Sequence, residues 1–237
     1  MMQLHCFGES GNAYKAALTL ALSGAEWEPV YVDFFNGATR TPEFRALNVM
    51  GEVPVLVDGD LILTQSGVIQ DYVSSKTGKL GGRSAAERRE ILRWVFFDNH
   101  KVSGQAGTLR FNMNFLPEAK QNKDVNAFLS MRFHSALKVL EAALTARTWL
   151  AGGDVTIADI ACCGYLYYPE PFGFDRATYP AIDAWLSRIA ALPGWKHPYD
   201  LMPGSPADRA EKTASADRAE KTAPADRAEK TASADRA

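Results

Sequence analysis

Residues 51–56 read Gly51-Glu52-Val53-Pro54-Val55-Leu56, and residues 63–72 read Leu63-Thr64-Gln65-Ser66-Gly67-Val68-Ile69-Gln70-Asp71-Tyr72. Pro54–Val57 and Leu61–Leu63 are apolar runs on either side of Asp58-Gly59-Asp60, a spacing that predicts two strands joined by a tight hairpin. A proline opening a strand gives up one ladder donor, which marks either an edge strand or backbone left open to a ligand. Gln65–Ser75 follows with helical spacing and stops before Gly78. Gln65 and Ser66 therefore sit at a helix start, where unpaired first-turn N–H groups suit a carboxylate; Thr64 could equally serve there as a plain N-cap.

Upstream, Glu28–Phe34 is strand-like, and Asn12–Ser23 has apolar residues at helical spacing with Gly24 as its stop. Gln3–Phe7 is a short apolar run followed by a turn. The order is β-α-β, a variable stretch, then β-β-α, which is the thioredoxin-like order and implies a mixed sheet covered by helices. Downstream, Gly78–Gly82 (GKLGG) with Arg83 and Ser84 has the composition of a linker. Ala85–Asn99, Val125–Ala146, Thr156–Tyr167 and Tyr179–Leu192 then give only helical patterns, predicting an all-α bundle. The expected fold class is α/β plus all-α. Residues 1–78 form the first domain, 79–83 the linker, 84–204 the helical domain and 205–237 a tail.

From Ala207 the nine-residue unit ADRAEKTAS/P repeats three times and begins a fourth. The unit is neutral and has no Leu, Ile, Val or aromatic residue, so it cannot offset the entropy of ordering and is expected to be disordered. The remaining composition excludes several function classes. With 26 Lys and Arg against 28 Asp and Glu, the net charge of −2 offers no field for nucleic acid or anionic membrane. The opening MMQLHCFGES lacks a basic and apolar leader, and no uncharged apolar run approaches the roughly 20 residues of a membrane span. Cys6 and the adjacent Cys162 and Cys163 make neither a disulfide framework nor a metal pattern, which fits a reducing cytoplasm. His5, His100, His134 and His197 have no metal spacing, so no metal site is expected.

A third segment, Gly152-Gly153-Asp154-Val155-Thr156-Ile157-Ala158-Asp159-Ile160, has the form of a capping box. Thr156 is the N-cap, Asp159 lies three residues on, and Val155 and Ile160 are placed as a staple. With the 51–56 and 63–72 segments, in this order and at these separations, it resembles the cytosolic glutathione S-transferases, in particular bacterial members with Nu-class features. The resemblance spans residues 1–200. It implies that a cis proline at Pro54 turns Val53 to pair with the cysteinyl backbone of glutathione, and that Gln65 and Ser66 hold its γ-glutamyl end. Glu52 is expected near the glutathione ammonium. Asp159 is expected to serve folding rather than chemistry.

Glutathione acts as a thiolate, and lowering a thiol pKa from near 8.5 by one or two units takes about 1.4–2.7 kcal/mol of preference for the anion. A hydroxyl or amide donor and the positive end of a helix can supply this. The family places that donor after the first strand, here in Phe7-Gly8-Glu9-Ser10-Gly11-Asn12-Ala13-Tyr14-Lys15. Ser10 is the leading candidate and Asn12 the second. Ser10 stands where beta-class enzymes carry a cysteine, which disfavours a mixed disulfide on the protein's own thiol. Cys6 and Tyr14 are expected to be structural, and Glu9 to face solvent. The electrophile site is expected between the domains, near Trp94, Phe97, Asn99, His100, Arg110, Phe111 and Phe115.

The resemblance implies a detoxifying glutathione transferase, with glutathione as co-substrate, a small hydrophobic electrophile as partner, and a homodimer. A glutathione-dependent disulfide reductase or peroxidase, or a non-catalytic adaptor on the same fold, are the alternatives.

Overall fold

A computed structural model describes residues 1–204 and Pro206 of the chain. The repeat tail expected to be disordered falls outside the described residues. Strand β1 (Met2–Cys6) leads through a short loop to helix α1 (Gly11–Ser23), then to β2 (Trp27–Tyr31). Two 3-10 turns (Phe34–Asn36 and Ala38–Arg40) and helix α2 (Pro42–Leu47) precede β3 (Val55–Asp58), β4 (Leu61–Thr64) and helix α3 (Ser66–Thr77). The sheet order is β2-β1-β3-β4, with β1 parallel to β2 and antiparallel to β3. This is the mixed, helix-covered sheet expected from the β-α-β and β-β-α order.

No regular element falls within 79–83. Helix α4 (Ala85–Phe97), N-capped by Ser84, runs into a π-helical turn (Asp98–Ser103) and on into α5 (Gly104–Asn114). The long α6 (Lys123–Ala146), the short α7 (Ile157–Cys163), α8 (Pro180–Ala190) and α9 (Pro198–Leu201) complete the helical half. The sequence stretch read as variable contains α2, whose start is set by Thr41: its side chain accepts from the Phe44 N–H, and Pro42 takes the first helical position. Helix α5 falls between the helical segments singled out from the sequence.

The larger of two apolar clusters among the described residues joins the halves, running from Leu4, Leu56 and Ile69 to Trp94, Phe133 and Trp185. Helix α1 lies at its centre, buried on the sheet side and on the side facing α7 and α9. Glycine makes the α1–α7 crossing close. A Cβ on Gly164 would come within 2.6 Å of Lys15 Cγ and 3.0 Å of the Gly11 carbonyl, and one on Gly11 within 2.6 Å of the Tyr165 ring.

The capping box forms as expected. Asp159 is fully buried and accepts four hydrogen bonds: from Thr156 N (3.0 Å), Thr156 Oγ1 (3.2 Å), Leu150 N (2.9 Å) and Trp185 Nε1 (2.9 Å). One carboxylate thus ties the start of α7 to α8 and to the loop after α6, which is a structural use.

Candidate functional site

The Val53–Pro54 peptide bond is cis, and both residues lie at a cleft just before β3 begins. Asn12, Asn48, Glu52, Val53, Pro54, Gln65, Ser66 and Asn99 line this cleft. All five residues expected to hold glutathione therefore meet in one place, with Asn12 beside them. Asn12 lies in the first turn of α1 and Ser66 opens α3, so the positive ends of two long helices face the same cavity.

Gln65 is the N-cap of α3 and has φ of +70°, an uncommon backbone state for a residue other than glycine. Its side chain makes no cap bond; Nε2 reaches Met50 Sδ at 3.4 Å. Such conformations cost roughly 1–3 kcal/mol and concentrate at functional sites. Asn48, which sequence reasoning missed, braces the opposite wall. Its Nδ2 donates to the Glu52 carbonyl at 2.8 Å, and its Oδ1 accepts from Met50 N at 3.1 Å. The only sequence signal is an asparagine three residues before a glycine of positive φ, Gly51, which is too common to single out.

Ser10 is the N-cap of α1, with Oγ accepting from Ala13 N at 3.1 Å, and its own hydroxyl proton remains available. It stands next to the cleft but is not part of the lining, whereas Asn12 is. Asn12 Oδ1 accepts from Lys15 Nζ at 2.9 Å. Lys15 is buried, and its ammonium also donates to Asp98 Oδ2 and Ser103 Oγ, each at 2.5 Å. Burial pushes the Asp98 carboxyl upward, while the Lys15 ammonium and the Ser103 hydroxyl draw it back toward the ionised form.

The loop before Ser10 is held by the helical half. Tyr168 Oη donates to the Gly8 carbonyl and Arg110 Nη1 to the Glu9 carbonyl, both at 2.7 Å, and Gly8 N donates to the Pro203 carbonyl at 2.7 Å. Arg110 also bonds Glu170 through Nε and Nη2, and its guanidinium lies 3.9 Å from the centre of the Tyr168 ring. Burial pushes the Glu170 carboxyl up, but bonds from Tyr199 and Arg110 outweigh it and hold the group below its ordinary 4.5. Glu9 is buried, which corrects the expectation that it faces solvent: Arg110 draws this stretch of backbone inward.

Above the loop, Phe7 stacks on Phe34 at 4.8 Å between ring centres, Phe34 meets Phe111 at 6.4 Å, and Phe35 meets Phe115 at 5.4 Å. This aromatic group spans the two halves. Of the other residues expected near it, Arg110 is buried with its guanidinium 5.0 Å from the centre of the Phe115 ring, while Trp94 is buried against Phe97. Cys6, Cys162 and Cys163 are free and buried, and burial pushes the Cys6 thiol up to about 12. Tyr14 is buried in α1 and donates to the Lys196 carbonyl at 2.9 Å, so it serves packing as expected. Among the described residues, no group of three or more His, Cys, Asp or Glu could hold a metal ion, and no helix is long and apolar enough to cross a membrane.

Comparison with known proteins agrees with this architecture. Residues 2–75 match the glutathione S-transferase N-terminal domain, and residues 110–193 match the glutathione S-transferase C-terminal domain. The chain is 30% identical to glutathione S-transferase 3 of Zea mays, over 86% of this chain and 96% of that one. It is 29% identical to disulfide-bond oxidoreductase YfcG of Escherichia coli (strain K12), over 79% and 89%. A crystal structure of a possible glutathione S-transferase from Rhodopseudomonas palustris superposes with a TM-score of 0.76 at 33% identity, covering 83% of this chain and 97% of that one. Two domain matches, relatives at about this identity over nearly their whole lengths, and the mixed sheet followed by a helical bundle show that the chain belongs to the glutathione S-transferase family.

Proposed function

We propose that this protein binds glutathione in the cleft between α1 and α3, ionises its thiol, and joins the thiolate through its sulfur to small apolar electrophiles. The observation that supports it most is the meeting of Asn12 with Glu52, Val53, Pro54, Gln65 and Ser66 in one cavity at two helix N-termini. In this reading Val53 pairs with the cysteinyl backbone. Gln65, Ser66 and the first turn of α3 take the γ-glutamyl carboxylate, and Glu52 takes the ammonium. The Asn12 amide and the Ser10 hydroxyl donate to the sulfur. The thiol proton leaves to solvent, the thiolate forms a bond to the electrophilic carbon, and the leaving group departs with its electron pair. The aromatic group of Phe7, Phe34, Phe35, Phe111 and Phe115 offers the apolar wall for that electrophile.

A second reading, glutathione-dependent disulfide reduction, is favoured by the likeness to the Escherichia coli oxidoreductase. Here the thiolate attacks one sulfur of a glutathione-linked disulfide and the other sulfur leaves as thiolate, with no protein cysteine needed. The buried cysteines suit both readings and a cytosolic setting.

A homodimer completes the proposal. The groove between α3 and α4, about 880 Å³, is lined by Val68, Ile91, Leu92, Val95 and Phe96 and is continuous with the glutathione cleft through Gln65, Ser66 and Asn99. Phe96 is 64% exposed, and a second copy would cover it.

The test is a calorimetric titration with glutathione, together with the pH dependence of the bound thiolate's ultraviolet absorbance. A bound thiol pKa about one to two units below 8.5, raised by Ser10→Ala or Asn12→Ala, is expected. No binding at about millimolar glutathione, a weak affinity by any measure, sinks the enzyme reading.

A further inference from the structure

Lys15 closes the stretch 7–15 that carries Ser10 and Asn12, and it is one of the most deeply buried cations among the described residues. Its ammonium has three protons and no lone pair, and three acceptors take all three: Asn12 Oδ1, Asp98 Oδ2 and Ser103 Oγ. Since an ammonium can only donate, the Asn12 amide oxygen must face it. The amide nitrogen is thereby turned away from the ammonium, on a residue that lines the cleft, and it donates to no side chain among the described residues.

The acceptors on the far side are set by the π-helical turn. In an α-helix, residues five apart point about 140° away from each other at 3.6 residues per turn. The wider π turn hydrogen-bonds residues five apart and brings them over one another. Asp98 and Ser103 are five apart and touch directly, with Ser103 Oγ donating to Asp98 Oδ1 at 2.8 Å. Both then reach one ammonium. Gly164 leaves the space in which the Lys15 stem lies, since a Cβ there would meet its methylenes at 2.6 and 2.7 Å.

We infer that Lys15, held by Asp98 and Ser103, is a positioning residue for the thiol: it locks the Asn12 amide with its N–H groups toward the glutathione sulfur. This rests on the glutathione reading above and adds a residue, a direction and a link to the helical half. Lys15 acts through the amide and not by net charge, because Asp98 balances it. A bond from an ammonium to the amide oxygen also polarises the amide, which strengthens the N–H donors on its other end.

The experiment is a pH titration of glutathione thiolate absorbance in the full-length protein, with S-methylglutathione affinity as a control that has no ionisable thiol. The double variant Lys15→Met with Asp98→Asn removes both buried charges together. It should bind S-methylglutathione as the wild type does while the bound glutathione thiol pKa rises by about one unit, a tenfold loss of thiolate below that pKa. In that background Asn12→Ala should lose most of its own effect, since the amide is no longer oriented. A double variant that ionises glutathione at the wild-type pH, or in which Asn12→Ala keeps its full effect, overturns the role of Lys15 alone. A wild type that binds glutathione without lowering its thiol pKa overturns the role of Lys15 and the thiol-activation reading together.

Should the double variant fail to fold, Ser103→Ala decides the matter. It leaves the Lys15–Asp98 pair intact and removes one of the three acceptors that fix the ammonium, so the bound thiol pKa should rise above that of the wild type while S-methylglutathione affinity holds. A bound thiol pKa equal to or below that of the wild type overturns the inference.

Discussion

Arg110 donates through Nη1 to the backbone carbonyl of Glu9, 2.7 Å away, so a guanidinium from the helical half fixes the residue just before Ser10. The same guanidinium is paired to Glu170, with side-chain exposures of 2% and 18%. Arg110→Met is similar in volume but withdraws the guanidinium from the Glu9 carbonyl and from Glu170, to which, among the described residues, Tyr199 alone then donates a side-chain bond. Breaking a pair this buried should cost about 2–4 kcal/mol of stability. It should also weaken glutathione binding, because the loop loses an anchor. Denaturant unfolding and calorimetry on the variant check both.

Acid should loosen the same clasp. The Glu170 carboxyl is held below its ordinary 4.5 in the folded protein, so its contribution is present above the unfolded value and is lost as pH falls through the folded one. Denaturation midpoints taken from about pH 6 to about pH 3 should therefore drop more steeply below about 4.5 in the wild type than in Glu170→Gln. Parallel curves would show that the clasp has no such linkage.

Gly164→Ala should be disruptive despite adding one methyl group. The new carbon would lie 2.6 Å from Lys15 Cγ and 3.0 Å from the Gly11 carbonyl, so the Lys15 stem must be displaced or α1 and α7 must separate. Overpacking of this kind typically costs about 1–3 kcal/mol. The thermal midpoint reports the loss, and thiol ionisation should suffer with it because Asn12 moves with Lys15.

Asp159→Ala removes four hydrogen bonds from a fully buried carboxylate and strands the Trp185 indole and the Leu150 amide. A loss above about 3 kcal/mol is expected, with poor soluble yield at growth temperature. Trp185 gives a convenient signal, as its emission should change when its partner is removed.

The three cysteines should be silent in the native protein. Each is buried, and burial raises their thiol pKa values, that of Cys6 to about 12. A thiol-specific chromophoric reagent should find none reacting quickly in the native state, and all three once the protein is denatured. Fast labelling of any one would reopen chemistry on the protein's own sulfur.

How much the sequence disclosed follows from how local each signal is. The hairpin around Gly59, the proline before β3, the start of α3 and the Thr156–Asp159 cap are set by residues within a few positions of one another, and all are found as read. The cleft of Glu52, Val53, Pro54, Gln65 and Ser66 was legible only through the family resemblance that their two segments carry. Helix α5 was not, because Gly104, Gly107 and two asparagines oppose helix formation. Gly107 is there for space, with a Cβ landing 2.8 Å from the Tyr165 hydroxyl. The burial of Glu9 depends on Arg110, about a hundred residues away, and no local pattern carries that. Likewise the strand read as Glu28–Phe34 ends at Tyr31, since Phe34 leaves it for a 3-10 turn and the stack on Phe7.

The carbonyls of Gly8 and Glu9, the Gly8 amide and the Tyr14 hydroxyl all find their partners in the helical half, on Tyr168, Arg110, Pro203 and Lys196. The two halves are consequently not interchangeable parts. A chimera that joins this thioredoxin-like half to the helices of a relative would keep every cleft-lining residue but Asn99 and still let the Gly8–Glu9 loop go slack. Transplanting the site intact means transplanting its four remote anchors with it.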